Sequence, residues 1–315
     1  MGRFILRRLL FFIFTLLVAS IFIFLLTRVL PGDVARVLLG RDASPQEVDA
    51  LRAELGLDNP LVVQYGHWVS SFVAEDWGWT FSHPRQPIRE IALQRLGKSA
   101  LLAGLTLIIA APLSISLGVI AGLTEGKWLD SVISTLSLSV VSLPEFVTGL
   151  FLINTVALRA GLFPASSSIR PDASFLETLP SLWLPAVTAT LVLIAYMARL
   201  TRAGIIEELK RDYVRTAILK GLPYHTVIFR HVLRNALIPT ITVIATSTGW
   251  LVSGLVVIEF VFSYPGLGRL LIFAIENRDL PLIQATIMIT VVVILLANFI
   301  ADLLYAILNP RISLS

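Results

Sequence analysis

The chain has 315 residues, of which 56% are hydrophobic and only 15% charged; this balance excludes an ordinary soluble globular protein and predicts an integral membrane protein. It contains no cysteine, which excludes a disulfide framework, a thiolate metal centre and a cysteine nucleophile. A formal net charge of +4 is too small at this length to point to nucleic acid or an acidic substrate.

Along the chain, the opening MGRFILRRLLFFIFTLLVASIFIFLL places Arg3, Arg7 and Arg8 before an apolar run. That run is longer than the core of a secretory signal, so it is expected to stay as a first membrane helix near 9–30. Crossing a hydrocarbon core takes about 20 helical residues. Five further runs meet that length, near 99–123, 129–157, 182–200, 237–262 and 282–308. The expected fold class is therefore all-α and polytopic, with six transmembrane helices and neither an internal repeat nor a low-complexity tract.

The long segment 31–98 between the first two spans reads as structured. In SPQEVDALRAELGLDNP, Ser44 is an N-cap, Pro45 the first helical residue, Glu47 the far half of a capping box and Gly56 the residue past the end. In LVVQYGHWVSSFV, Val62, Tyr65, Val69 and Phe72 recur at helical spacing. Trp68, Trp77 and Trp79 suit a membrane-water interface. The parts are thus a first helix at 1–30, this segment, a five-helix core at 99–308 and a tail at 309–315.

Basic residues concentrate in 201–236, with Arg202, Lys210, Arg211, Arg215, Lys220, Arg230 and Arg234, whereas charges in 31–98 are close to balanced. The positive-inside bias puts 201–236 and both termini on the cytoplasmic side. Within it lies DYVRTAILKGLPYHTVIFRHVLRNALIP. Residues 201–220 favour one helix, with Tyr213 and Ala217 a turn apart and Val214, Ile218 and Leu222 as an adjacent stripe. Gly221 ends it and Pro223 opens the next, on which Ile228, Val232 and Asn235 form one line. This helix, turn and helix is either a topology-setting loop or a docking element for a soluble partner.

That stretch resembles the EAA loop of ABC importer permeases, in the form of the peptide and nickel importer branch. Further matches in order are RFILRRLL, LTRVLPGD, LGLDNPLVVQYGHWV, GKWLD, SLPEF, VFSYPGLGRLL and ADLLYAILNPRI, which extend the resemblance over almost the whole chain. It implies a type I ABC importer (MetI-like) permease fold and a subunit of the bacterial or archaeal inner membrane. The partners implied are a second homologous permease, two ATPase subunits, an extracytoplasmic substrate-binding protein and the lipid bilayer, with no nucleic acid. Tyr213, Arg215, Thr216, Ala217, Lys220, Gly221, Leu222 and Pro223 would then form the coupling element against an ATPase, supported by Arg202, Arg230, His231, Arg234 and Asn235. Small residues there would permit close backbone approach. The general motif has glutamate where this chain has Arg215, so no ion-pair role carries over from that position.

GLTEGKW at 122–128 imitates a phosphate-binding loop, but its glycines stand one residue too close and Trp128 replaces the hydroxyl. No cofactor is therefore expected in this chain, ATP and Mg belonging to the partner ATPases, and no catalytic residue is expected. His67 and His83, like His225 and His231, lack the spacing of a helical metal pair. Charged groups at membrane depth mark a pathway or a buried pair. Glu145, after Pro144, either meets a cationic substrate group or pairs with a neighbouring subunit; Glu259 reads as a gate or helix-end contact, and Asp302 as structural. Asn154 and Asn298 line the path or join helices, and Ser253 of LVSGL is a packing or path residue. The expected function is ATP-driven import of di- or oligopeptides. The alternatives are import of nickel chelates, glutathione or another small solute, an ion-coupled secondary transporter, and a receptor or scaffold.

Overall fold

The computed structural model describes residues 2–29, 34–39, 43–54, 56–168 and 174–308, and the regular elements among them are helices. Helix α1 (Gly2–Val29) is followed by the short α2 (Val34–Leu39), α3 (Pro45–Glu54) and α4 (Leu61–Val73), and then by the long α5 (Ile88–Leu123). Next come α6 (Trp128–Val141), α7 (Glu145–Leu152) with a π-helical continuation Ile153–Arg159, and the long α8 (Phe175–Leu209). A short α9 (Asp212–Leu219) leads to α10 (Tyr224–Thr226), a π-helical stretch Val227–Val232 and α11 (Leu233–Ala236). Helices α12 (Ile238–Val261), α13 (Leu267–Glu276) and α14 (Leu280–Leu308) complete the order.

Helices α1, α5, α8 and α14 are each long and apolar enough to cross a membrane, and two bent helix pairs raise the number to six if each pair is one span. The six apolar runs thus correspond to the observed elements, with two differences. Helices α5 and α8 extend well past the apolar runs because neighbours cover their polar ends: Ile88 and Ala92 pack with residues of α13 and α14, and Ile205 with the residues around α9. The run 129–157 is not one continuous helix. Its two parts meet at 101° across Ser142, Leu143 and Pro144. Proline lacks the amide that would continue the ladder and crowds the residue before it, and Pro144 itself is extended at ψ 139°.

The segment between α1 and α5 follows its local signals. Ser44 Oγ accepts from the Glu47 amide at 3.3 Å, Glu47 accepts from the Ser44 amide at 2.8 Å, and Gly56 takes a left-handed φ of +64° past the end of α3. Helix α4 docks on α1 through aromatic contacts, Phe24 with Tyr65 and Trp68, and a hydroxyl pair Ser20–Tyr65 at 2.8 Å. Helix α1 otherwise leaves Leu10, Phe14, Phe22 and Leu26 exposed, as a lipid-facing helix must. It is held to α14 by Arg8–Asp302 at 2.8 Å and by Phe12 against Phe299, so Asp302 is structural as expected.

The centre of the bundle is the pairing of α5 with α8, which run against each other over most of their length. Small residues allow it: an added Cβ at Gly118 would lie 2.5 Å from Thr201 Cβ and 2.6 Å from the Ala198 carbonyl oxygen, and one at Gly122 would lie 2.7 Å from Ile205 Cβ. Lipid offers no hydrophobic drive between helices, so close packing of small residues supplies the attraction. Threonines satisfy themselves within this core, Thr201 and Thr240 meeting at 3.0 Å.

At the end of the bundle away from α9, a buried carboxylate ties three elements. Glu259, 1% exposed, accepts from Ser99 Oγ and from the amides of Gly268 at 2.8 Å and Arg269 at 3.3 Å, while Ser99 Oγ accepts from the Leu267 amide at 2.8 Å. The free amides and positive dipole end of α13 thereby receive their acceptors. A side chain at Gly266 would run into that carboxylate, which accounts for the glycine in VFSYPGLG. Asp279, fully buried, fastens the residues before α5 by accepting from the Phe81 amide at 2.7 Å and the Ser82 amide at 3.1 Å.

Replacing Gly118 by leucine should overpack the α5–α8 seam and cost about 1–3 kcal/mol. Thermal unfolding of the detergent-solubilised protein checks this: the variant should melt several degrees lower, whereas Gly97→Ala, whose added methyl meets nothing within 4 Å, should leave the melting temperature unchanged or raised.

Candidate functional site

The basic stretch forms a compact projection at one end of α8. Residues 201–220 are not the single helix expected: α8 ends at Leu209, Arg211 is extended at φ −73° and ψ 144°, and α9 starts again at Asp212. The break lets α9 fold across the end of α8 and bury Val214 and Ala217 with Ile205, Val227, Ile228, Val232 and Ala236. A straight continuation would have left both side chains without cover. Burial of two such apolar groups outweighs the few intrahelical bonds given up at the break.

This docking corrects the expected stripe. Val214 is buried with Ala217, whereas Ile218 and Leu222 are exposed. Ala217 therefore anchors α9 from beneath, and the outward surface carries Arg215, Thr216, Ile218, Leu219, Lys220, Leu222, Pro223 and Tyr224. Leu219 is 78% exposed and Tyr224 57%, which is a large unpartnered apolar presence beside basic residues. Gly221 lies at φ +77° with open space where a side chain would stand. Its left-handed φ makes it the residue that closes the C-terminal end of α9.

Polar struts fix α9 to α8. Tyr213 donates its hydroxyl to Glu208 at 2.6 Å and accepts from Asn235 Nδ2 at 3.2 Å, so both predicted residues serve one joint. Burial, with Glu208 beside it, pushes the Tyr213 phenol above its ordinary range. Arg211 pairs with Glu207 at 2.8 Å. Arg230 and Arg234 are exposed and His231 half-buried on the same projection.

Arg202 has a partner that sequence reading missed. Its Nε and Nη2 engage Asp130 Oδ1 and Oδ2 at 2.5 and 2.7 Å, and Asp130, 4% exposed, also accepts from the Gly126 amide at 3.0 Å and from Ser134 Oγ at 3.2 Å. The fork joins the last part of α8 to the start of α6. The aspartate stands in GKWLD, where the only available signal was an acidic residue in the first turn of an apolar helix. The tight turn before it, with Gly126 at φ +75°, is structural.

The candidate path residues separate. Glu145 is half-buried in the first turn of α7, just past the 101° break, and Asn154 is exposed on the π-helical stretch that follows. Glu259 is buried under Gly266 at the head of α13, where it makes the helix-end contact. The side chain of Ser253 and the tail 309–315 lie outside the described residues.

Two family models match the chain, the binding-protein-dependent transport system inner membrane component over residues 114–314 and the N-terminal part of the membrane component of such systems over residues 1–95. The chain belongs to the binding-protein-dependent transport permease family. Over 312 residues it is 37% identical to glutathione transport system permease protein GsiC of Shigella flexneri serotype 5b (strain 8401) and 38% identical to probable peptide ABC transporter permease protein y4tP of Sinorhizobium fredii (strain NBRC 101917 / NGR234). Each alignment covers 99% of both chains. A crystal structure of an amino acid ABC transporter with histidines matches 69% of this chain and 93% of its own at a TM-score of 0.55 and 15% identity, a likeness of fold. This permease family decides between the ABC permease and the ion-coupled secondary transporter in favour of the former, and makes the chain a multi-pass inner-membrane transport subunit.

In this permease, Asp130→Ala should leave the Arg202 guanidinium short of its acceptors. With Arg202 30% exposed and open to water, the expected cost is about 2 kcal/mol. A thermal-unfolding double-mutant cycle checks it: Arg202→Ala added to Asp130→Ala should cost far less than Arg202→Ala alone.

Proposed function

We propose that this chain is one of two permease subunits of an importer for di- or oligopeptides, glutathione-like peptides included, and that α9 is its contact with an ATPase. The observation that carries the reading is the outward face of α9, apolar and basic, on a helix that its own buried side anchors to the end of α8. A short helix with one anchored and one free face is suited to a cleft in a second protein. The basic content of 201–236 supports placing α9 in the cytoplasm, together with both termini. ATP and Mg then belong to two ATPase subunits there, and a substrate-binding protein delivers solute to the opposite face. The names of the full-length relatives GsiC and y4tP support a peptide-type solute.

Mechanistically, the permease performs no covalent step. ATP binding by the partners favours one of two arrangements of the bundle because it changes the fit around α9. Motion of α9 passes rigidly to α8 through Val214, Ala217 and the Tyr213–Glu208 bond, and from α8 to α6 through Arg202–Asp130. Helix α6 leads to the break before α7, beyond which stand half-buried Glu145 and exposed Asn154; in this reading the two face the path. Such a route requires packed, directly bonded elements at each step, and each link named is one.

The test is copurification of the full chain with its second permease and ATPase subunits in nanodiscs. Leu219→Glu, on the exposed face, should reduce ATPase association at least tenfold while the melting temperature of the permease stays unchanged. Failure of the folded wild type to hold an ATPase, or full retention by the variant, would overturn the coupling role of α9.

A further inference from the structure

At the end of the bundle opposite α9, a cavity of 430 Å³ opens between the loop 80–86, the first turns of α5 and the head of α13. Its volume is that of a small-molecule site. Two guanidiniums line it, Arg95 from α5 and Arg269 from α13, with His83, Gln86 and Ser168 around them. Arg95 donates from Nη1 to the Pro265 carbonyl at 3.2 Å, but its Nε is buried and has no hydrogen-bond partner. Arg269 gives one bond to the Ser263 carbonyl and otherwise stands exposed. A guanidinium offers five donors, so most of this fork capacity is unused.

The neighbouring carboxylates offset the charge only in part: Glu259 acts on Arg95 through space without bonding to it. Glu259, behind Gly266, is occupied by Ser99 and the amides of α13, and Asp279 is occupied by the amides of Phe81 and Ser82. Among the described residues neither arginine has an ion-pair partner within 4.0 Å. Two like charges share one concave, mostly polar site, one of them with an orphaned buried donor, and the arrangement favours the arrival of a further anion. Planar forks match a carboxylate through paired N–H···O bonds.

We propose that this cavity is a binding site for the carboxylate of a small solute, met at the mouth of the permease before passage. Within the reading of the chain as a peptide-type importer, it names the group of the solute first held: the C-terminal carboxylate of a short peptide. The fixed positive pair also selects against solutes that bear only cationic groups.

The test uses the full chain in nanodiscs and saturation-transfer-difference NMR with triglycine as probe, empty nanodiscs serving as blank. Triglycine should bind wild type, its C-terminal amide should bind at least fivefold more weakly, and Arg95→Gln and Arg269→Gln should each weaken triglycine at least fivefold. Arg95→Lys guards against misfolding: with charge kept and the fork lost, it should bind triglycine between wild type and Arg95→Gln, at an unchanged melting temperature. Equal binding of acid and amide, or arginine variants that bind as wild type does, overturns the proposal. So does binding of inorganic phosphate but not triglycine, which would make the site one for phosphate. Absence of triglycine binding, with both arginines needed for the binding protein to dock, also overturns it and assigns the cavity to that protein. ATPase association measured on the same wild-type sample separates the two readings: association without triglycine binding defeats only the carboxylate site, and triglycine binding without association defeats only the coupling role.

Discussion

The close approach of α5 to α8 is the constraint on which the remaining architecture depends. Gly118 and Gly122 let the two backbones come within side-chain distance, with Thr201 and Ile205 filling the space that a larger residue would need. In lipid, where burying an apolar side chain against another helix gains little over burying it against acyl chains, this contact is stabilised by packing density. Everything at the α9 end then follows from where α8 stops. Helix α9 can cover Ile205 only because α8 is held at that depth, and Asp130 can reach Arg202 only because α6 starts one short turn after α5 ends.

Among the described residues, three buried carboxylates carry out the polar part of the assembly. Asp130 takes a guanidinium fork and an amide, Glu259 takes the head of α13 and a serine, and Asp279 takes the amides before α5. An ionised group in low dielectric costs several kcal/mol unless its lone pairs are satisfied. Each of these is satisfied by donors from a distant part of the chain, so each fixes a tertiary junction. Glu145 differs: it is half-buried beside a broken helix, and among the described residues no distant donor bonds to it in the same way. The two arginines at the opposite end are the reverse case, donors matched only in part by acceptors among the described residues, the Pro265 and Ser263 carbonyls.

The projection around α9 shows how stability and function divide along one short helix. Val214 and Ala217 face inward and hold it, while Leu219 and its neighbours face outward. A helix of this length is marginal in isolation. It persists because its inner face is buried, because the Tyr213–Glu208 bond and Arg211–Glu207 brace it against α8, and because Asn235 ties Tyr213 to α11. The outward face is thereby presented without a further ordering cost when a partner binds.

Much was legible in the sequence because the membrane solvent makes simple demands. Hydrophobic runs of spanning length, the capping box at Ser44 and Glu47, the glycine cap at Gly221 and the basic clustering in 201–236 are local signals with local physical causes, and the helices formed where these signals stood. The ordered motifs from RFILRRLL to ADLLYAILNPRI carried the family. Local patterning could not say which face of α9 would be covered. The expected stripe set Val214 with Ile218 and Leu222, and only the positions of Ile205, Val227, Ile228 and Val232 select Ala217 as its buried companion instead. Nor could it distinguish a carboxylate that caps a helix from one left half-buried beside a break: Glu259 and Glu145 are alike as letters, and only the arrival of Ser99 and the α13 amides at one of them separates the two. The sequence by itself determined the class, the spans and the family, because those depend on hydropathy and nearest-neighbour chemistry. The tertiary structure alone decided the partners of each buried charge, because a donor and its acceptor meet there across separations such as the 160 residues between Ser99 and Glu259.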